Sequence, residues 1–141
     1  MQVIVQSPRK ESNYSDWTLA EWLDHLENQP HTSIKLGLAR IKQVATDLKL
    51  ISTPATVIMV AGTNGKGTTV AALESIYYQA GYRVGSYTSP HLLSFNERIK
   101  INKQCIEDKE LCQAFCYIEG ARQNIHLTYF EMATLAALLH F

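Results

Sequence analysis

One stretch constrains this chain more than any other: residues 56–69, Thr-Val-Ile-Met-Val-Ala-Gly-Thr-Asn-Gly-Lys-Gly-Thr-Thr. Residues 57–60 are apolar and largely β-branched, the composition of a buried parallel strand. They run into a glycine-rich turn and then a helix-compatible segment, the strand, loop, helix order of a phosphate-binding P-loop. Gly62, Gly65 and Gly67 can take backbone angles closed to other residues and let phosphate oxygens approach the main chain. The loop amides and the positive end of the next helix would then face an anion. Lys66 adds a mobile charge suited to β- and γ-phosphates, and the hydroxyl of Thr68 or Thr69 is placed to hold magnesium. The spacing departs from the usual pattern, because Val60 stands at the first glycine position and Gly67 separates Lys66 from Thr68. By spacing alone, the alternative is a strand-to-helix turn whose glycines only permit close packing.

The flanking sequence supplies the elements such a loop needs. Thr18 and Glu21 have capping-box spacing, and Leu19, Trp22, Leu23 and Leu26 fall on one face of a helix that ends before Pro30. His25 and His31 read as solvated or helix-end residues. Residues 34–40 open a second amphipathic helix, with Leu38, Ile41, Val44, Ala45 and Leu48 on its apolar side. The helix after the loop spans about residues 67–80, with Val70, Leu73, Ile76 and Tyr77 at helical spacing and Gly81 as a left-handed cap. Residues 83–87 form a second strand. A strand, helix, strand unit this short implies a right-handed parallel crossover, hence an α/β fold with a mostly parallel sheet flanked by helices.

Ligands gather at the carboxyl ends of such strands, which puts Ser89 of Thr88-Ser89-Pro90-His91 within reach of a metal; by itself the segment is also an ordinary turn. Residues 95–101 end in alternating Ile99 and Ile101, and Asn102-Lys103 can turn them into a hairpin returning through Cys105 and Ile106. Glu97 and Arg98 read as structural charges. Asp108 begins a helix to about residue 121 with Leu111, Phe115 and Ile118 inward, and Cys112 and Cys116 one turn apart as packing residues. Thr128 and Glu131 form another capping box before an apolar helix over residues 132–141.

Size and charge exclude several classes. The 141 residues make about one domain, and 13 basic against 13 acidic residues give no electrostatic case for nucleic acid or an anionic membrane. No apolar run approaches the ~20 residues of a membrane helix, and there is no secretory h-region. The odd number of cysteines suits reduced thiols in a cytoplasmic protein. The sequence stops in mid helix, with two parallel strands evident and no acidic residue ending a third, so the expectation is a truncated domain.

The wording Gly62-Thr63-Asn64-Gly65-Lys66-Gly67-Thr68-Thr69 resembles the P-loop of the Mur ligase superfamily, and its extra glycine is similar to the folylpolyglutamate synthase branch. Matches at residues 34–40, 87–92 and 127–131 extend the resemblance over most of the chain. It implies the first part of the central ATPase domain, a P-loop NTPase-like fold, with the rest of that domain and a C-terminal glutamate-ligase domain absent. The implied activity is an ATP-dependent ligase that adds L-glutamate to dihydropteroate and reduced folates through an acyl phosphate, monomeric and cytoplasmic, with Mg2+ as metal. The resemblance assigns ATP contacts to Asn64, Gly65, Lys66, Gly67, Thr68 and Thr69, with Lys66 catalytic, and a magnesium ligand to Ser89. It places Lys35, Leu36, Gly37 and Leu38, and Thr128, Tyr129, Phe130 and Glu131, at a pterin pocket. Lys35 stands where bacterial members carry an acid, which changes any side-chain contact there. Alternatives are an enzyme acting on folates only, a small P-loop kinase, or a nucleotide-binding fragment without catalysis.

Overall fold

The computed structural model describes residues 14–29 and 37–141. After a 3-10 turn at Tyr14–Asp16 come α1 (Leu19–Glu27), α2 (Ala39–Asp47), α3 (Lys66–Gln79) and β1 (Gly85–Tyr87). A 3-10 turn at Phe95–Arg98 leads into β2 (Ile99–Ile101), β3 (Gln104–Cys105), α4 (Asp108–Arg122) and α5 (Tyr129–His140).

Local chemistry sets most of these boundaries. Thr18 accepts the Glu21 amide at 3.3 Å, and Glu21 returns the favour to the Thr18 amide at 2.7 Å, so α1 starts where the capping box predicts. The same reciprocal pair at Thr128 and Glu131 starts α5 at Tyr129, one turn earlier than the apolar run alone suggests. Gly81 caps α3 with φ +87°, and the Tyr82 and Gly81 amides donate to the Tyr77 and Tyr78 carbonyls in a Schellman arrangement. Asn102 and Lys103 both have positive φ, which gives the hairpin turn between β2 and β3 the twist of its strands.

Trp22, Val44, Phe115, Ile118, Met132 and Leu135 are fully buried, and they join α1, α2, α4 and α5 into one core that Phe95, Ile99 and Ile106 extend under the sheet. Trp22 stacks on Tyr14 and meets the Phe115 ring at 5.7 Å. His25 is the helix-end residue of the two readings its sequence context allows, in the last turn of α1, and packs half-buried beside Trp17 in this aromatic group.

The sheet differs from the sequence expectation. Among the described residues it has three strands, and β1 pairs antiparallel with β2, which pairs antiparallel with β3. Residues 57–60 form no strand, because a strand exists only through a ladder partner and none of the described strands lies beside them. Their side chains stand out, with Val57 73% and Met59 88% exposed. On α3, Ile76 and Tyr77 are exposed, and the only buried residue is Glu74. The second helix begins at Ala39 and not at residue 34, after Gly37 at φ +124°; Ile34, Lys35 and Leu36 lie outside the described residues, as do His31 and residues 2–6.

Candidate nucleotide and substrate site

Gly65 is the N-cap of α3, at φ +76°, a left-handed conformation that glycine reaches without a Cβ penalty. The first intrahelical bond runs from the Thr69 amide to the Gly65 carbonyl at 2.9 Å. The earlier amides of the turn have no intrahelical acceptor. The Lys66 ammonium folds back to donate to the Gly62 and Thr63 carbonyls at 2.6 and 3.0 Å, which closes the loop and parks a positive charge over its mouth. The Thr69 hydroxyl donates to the Gly65 carbonyl at 3.0 Å and keeps its lone pairs for another partner. Asn64, Gly65, Lys66, Gly67, Thr68 and Thr69 are all exposed. The structure therefore brings the whole set of proposed phosphate contacts to one open helix terminus.

β1 joins this loop to Ser89. The Ser86 hydroxyl donates to the buried Glu74 carboxylate at 3.1 Å, the polar link between α3 and β1. After the cap at Gly81 the chain enters β1, and Ser89 follows two residues beyond the end of that strand. Ser89 is exposed and has no hydrogen-bond partner among the described residues.

The turn that carries Ser89 is tied down on both sides. The Thr88 amide donates to the Arg98 carbonyl at 2.9 Å, and the Arg98 Nε donates to His91 Nδ1 at 2.8 Å. One carboxylate, that of Glu97, accepts the Leu92, Leu93 and Ser94 amides at 2.8, 2.9 and 3.0 Å. These three bonds hold the Glu97 carboxyl below the usual carboxylate range. The Arg98 guanidinium lies over the Phe95 and Tyr129 rings, 5.3 and 5.7 Å from their centroids.

The second predicted group meets this region from the other side. Tyr129 and Phe130 open α5, and the Phe130 ring lies 6.0 Å from that of Tyr87. The Tyr87 hydroxyl shares a hydrogen bond with Thr134, and burial pushes its pKa up, as it does for Tyr129; both are neutral hydroxyls. Glu131 reaches Arg40 of α2 at 3.2 Å while its other oxygen accepts the Thr128 amide at 2.7 Å. That pair draws the start of α2, with exposed Gly37 and Leu38, to the start of α5. Glu131 is thus a structural carboxylate first, with both oxygens engaged. Phe130, more than half exposed, is the open aromatic face of the group.

Sequence reasoning named the segments and missed the couplings. Arg40 carried no signal beyond its place in the 34–40 segment. Glu74 is a polar residue in an apolar helical run, a signal that was present. No group of three or more histidine, cysteine, aspartate or glutamate side chains that could hold a metal occurs among the described residues, and Cys112 packs against the core, where burial raises its thiol pKa.

No family model matches the chain. It is 48% identical over 120 residues to the dihydrofolate synthase/folylpolyglutamate synthase of Escherichia coli K12, covering 85% of this chain and 28% of that protein. The bifunctional folylpolyglutamate synthase/dihydrofolate synthase of Yersinia pestis complexed with AMPPNP and Mn ion superposes with a TM-score of 0.86 at 46% identity, covering 96% of this chain and 32% of that one. E. coli FolC in complex with DHPP and ADP gives a TM-score of 0.83 at 47% identity over 88% of this chain and 30% of that one. The chain spans under a third of the length of these relatives.

Proposed function

We propose, from the premise that this chain is a homologue of the dihydrofolate synthase/folylpolyglutamate synthases along most of its length, that it is the nucleotide-binding part of an ATP-dependent ligase. The ligase adds L-glutamate to dihydropteroate and to reduced folates. The observation that carries the reading is the exposed loop of residues 62–69, with Gly65 capping α3 in the left-handed region and Lys66 folded over its mouth.

A carboxylate is a poor acyl donor. Transfer of the γ-phosphoryl group of ATP to a carboxylate oxygen of the pteroate or folate gives an acyl phosphate and ADP. The α-amine of glutamate then attacks the acyl carbon, and the tetrahedral intermediate expels phosphate to leave an amide. Little covalent chemistry is asked of the protein; the demand is for neutralisation of charge on the phosphates. Lys66 and the amides at the start of α3 meet that demand.

The available oxygens fit a hard cation: Thr68, Thr69 and Ser89 offer hydroxyl groups, at least one with lone pairs unused by the protein. Magnesium held there with the nucleotide phosphates would neutralise charge as it develops. Residues 57–60 fit a strand of a P-loop NTPase-like, mostly parallel sheet, since their exposed apolar side chains need cover on both faces. For the pterin, the aromatic face of Phe130 beside Tyr87 suits a flat heterocycle. This chemistry calls for no partner beyond these small molecules.

The test replaces the matched segment of the E. coli relative with this chain and measures ATP-dependent transfer of labelled glutamate to dihydropteroate. Transfer by the chimera, abolished by Lys66→Ala, is expected. A folded chimera that binds ADP but transfers no glutamate would overturn the ligase reading.

A further inference from the structure

The turn between β1 and the Phe95–Arg98 3-10 turn has no apolar reason to hold its shape. Leu92 and Leu93, the two side chains that could anchor it by burial, are 89% and 94% exposed. What holds it is polar: three consecutive amides converge on the Glu97 carboxylate, and Arg98 ties His91 from the opposite side. Glu97 is fixed in turn, because it follows its own capping position at Ser94 and leads straight into β2, whose Ile99 is fully buried. Between these ties only Ser89 and Pro90 lack a hydrogen bond among the described residues. A turn clamped on both sides of one exposed, unpaired hydroxyl is a mount for that hydroxyl.

We propose that Glu97 is a positioning residue for Ser89: by binding the Leu92, Leu93 and Ser94 amides it sets where the Ser89 hydroxyl meets a magnesium–nucleotide complex. The proposal rests on the reading of Ser89 as a metal-facing group. Residues that orient a metal ligand without touching the metal typically govern affinity by about 10–100-fold. The Glu97 side chain is half-buried and bonded only to its local turn, so its loss should loosen that turn and act on the metal while the core stays folded.

The experiment uses the full chain and follows binding of a fluorescent ADP analogue, with magnesium titrated against an EDTA baseline. Glu97→Ala is expected to raise the magnesium concentration for half-maximal binding about tenfold, with the metal-free affinity unchanged and the helical circular-dichroism signal of the folded chain retained. Glu97→Gln, which keeps one acceptor oxygen, should recover part of the shift. Amide exchange at residues 92–94, read without metal or nucleotide, should quicken in Glu97→Ala. Ser89→Ala separates the two ideas. If it shifts the magnesium dependence while Glu97→Ala does not, or if Glu97→Ala weakens binding equally in EDTA, the positioning role is refuted and the metal reading stands. If Ser89→Ala moves nothing, the metal reading falls and takes the proposal with it.

Discussion

At the scale of single residues, two charges carry most of the argument, and each gives an expectation. Lys66 is exposed and touches the protein only through the Gly62 and Thr63 carbonyls. Removing it should cost the ~1.5–3 kcal/mol of a charged hydrogen bond to phosphate, a roughly 10- to 100-fold loss of ADP affinity by calorimetry. Stability should change by no more than about 0.5 kcal/mol, as at other surface sites. Undiminished affinity in Lys66→Ala would remove the loop from the site. Glu97 titrates. Its carboxyl lies below the ordinary value of 4.5 because the Leu92, Ser94 and Leu93 amides favour the charged form. A depressed pKa means that the stabilisation is present above the unfolded value and is lost as pH falls through the folded one. The amide proton shifts of residues 92–94 should therefore titrate together with a midpoint below 4.5. Independent midpoints, or none, would show that the three amides do not share this carboxylate.

At the scale of elements, α5 shows how one local device serves two ends. The Thr128–Glu131 box starts the helix, and the Arg40–Glu131 pair fastens that start to α2. Thr128→Ala should lower unfolding free energy by about 1 kcal/mol, seen as a lower urea midpoint at unchanged slope, and Thr128→Ser should restore it. The capping boxes of α1 and α5, the Gly81 cap and the Asn102-Lys103 hairpin were all legible in the sequence, because each is decided within about six residues by side-chain hydrogen bonds or by a φ angle. Residues 34–40 could be read as opening an amphipathic helix or as a loop and helix start with a packing glycine, and α2 begins at Ala39, after Gly37 at φ +124°. On α3, helical spacing says which residues share a face and nothing about whether another element covers that face, and Ile76 and Tyr77 are exposed.

At the scale of the whole molecule, burial is uneven. The core sits among α1, α2, α4, α5 and the hairpin, while the loop, α3 and residues 51–59 stand largely in solvent. Phe115→Ala, at the centre of the core, should cost about 3–5 kcal/mol, whereas Ile76→Ser on exposed α3 should stay within about 0.5 kcal/mol; chemical denaturation of both compares them directly. Equal losses would mean that α3 is packed far more tightly than its exposure indicates. By itself the sequence determined the glycine-rich turn before α3, the helix caps and the hairpin, since these follow from residue chemistry over short spans. Only the tertiary structure decided that β1 pairs antiparallel with β2, that Glu74 rather than an apolar stripe joins α3 to the sheet, and that Arg40 and Glu97 hold the two site segments. Those outcomes depend on which distant residues come within hydrogen-bonding or packing distance, and that is set by the folding of the chain onto itself and by no local pattern.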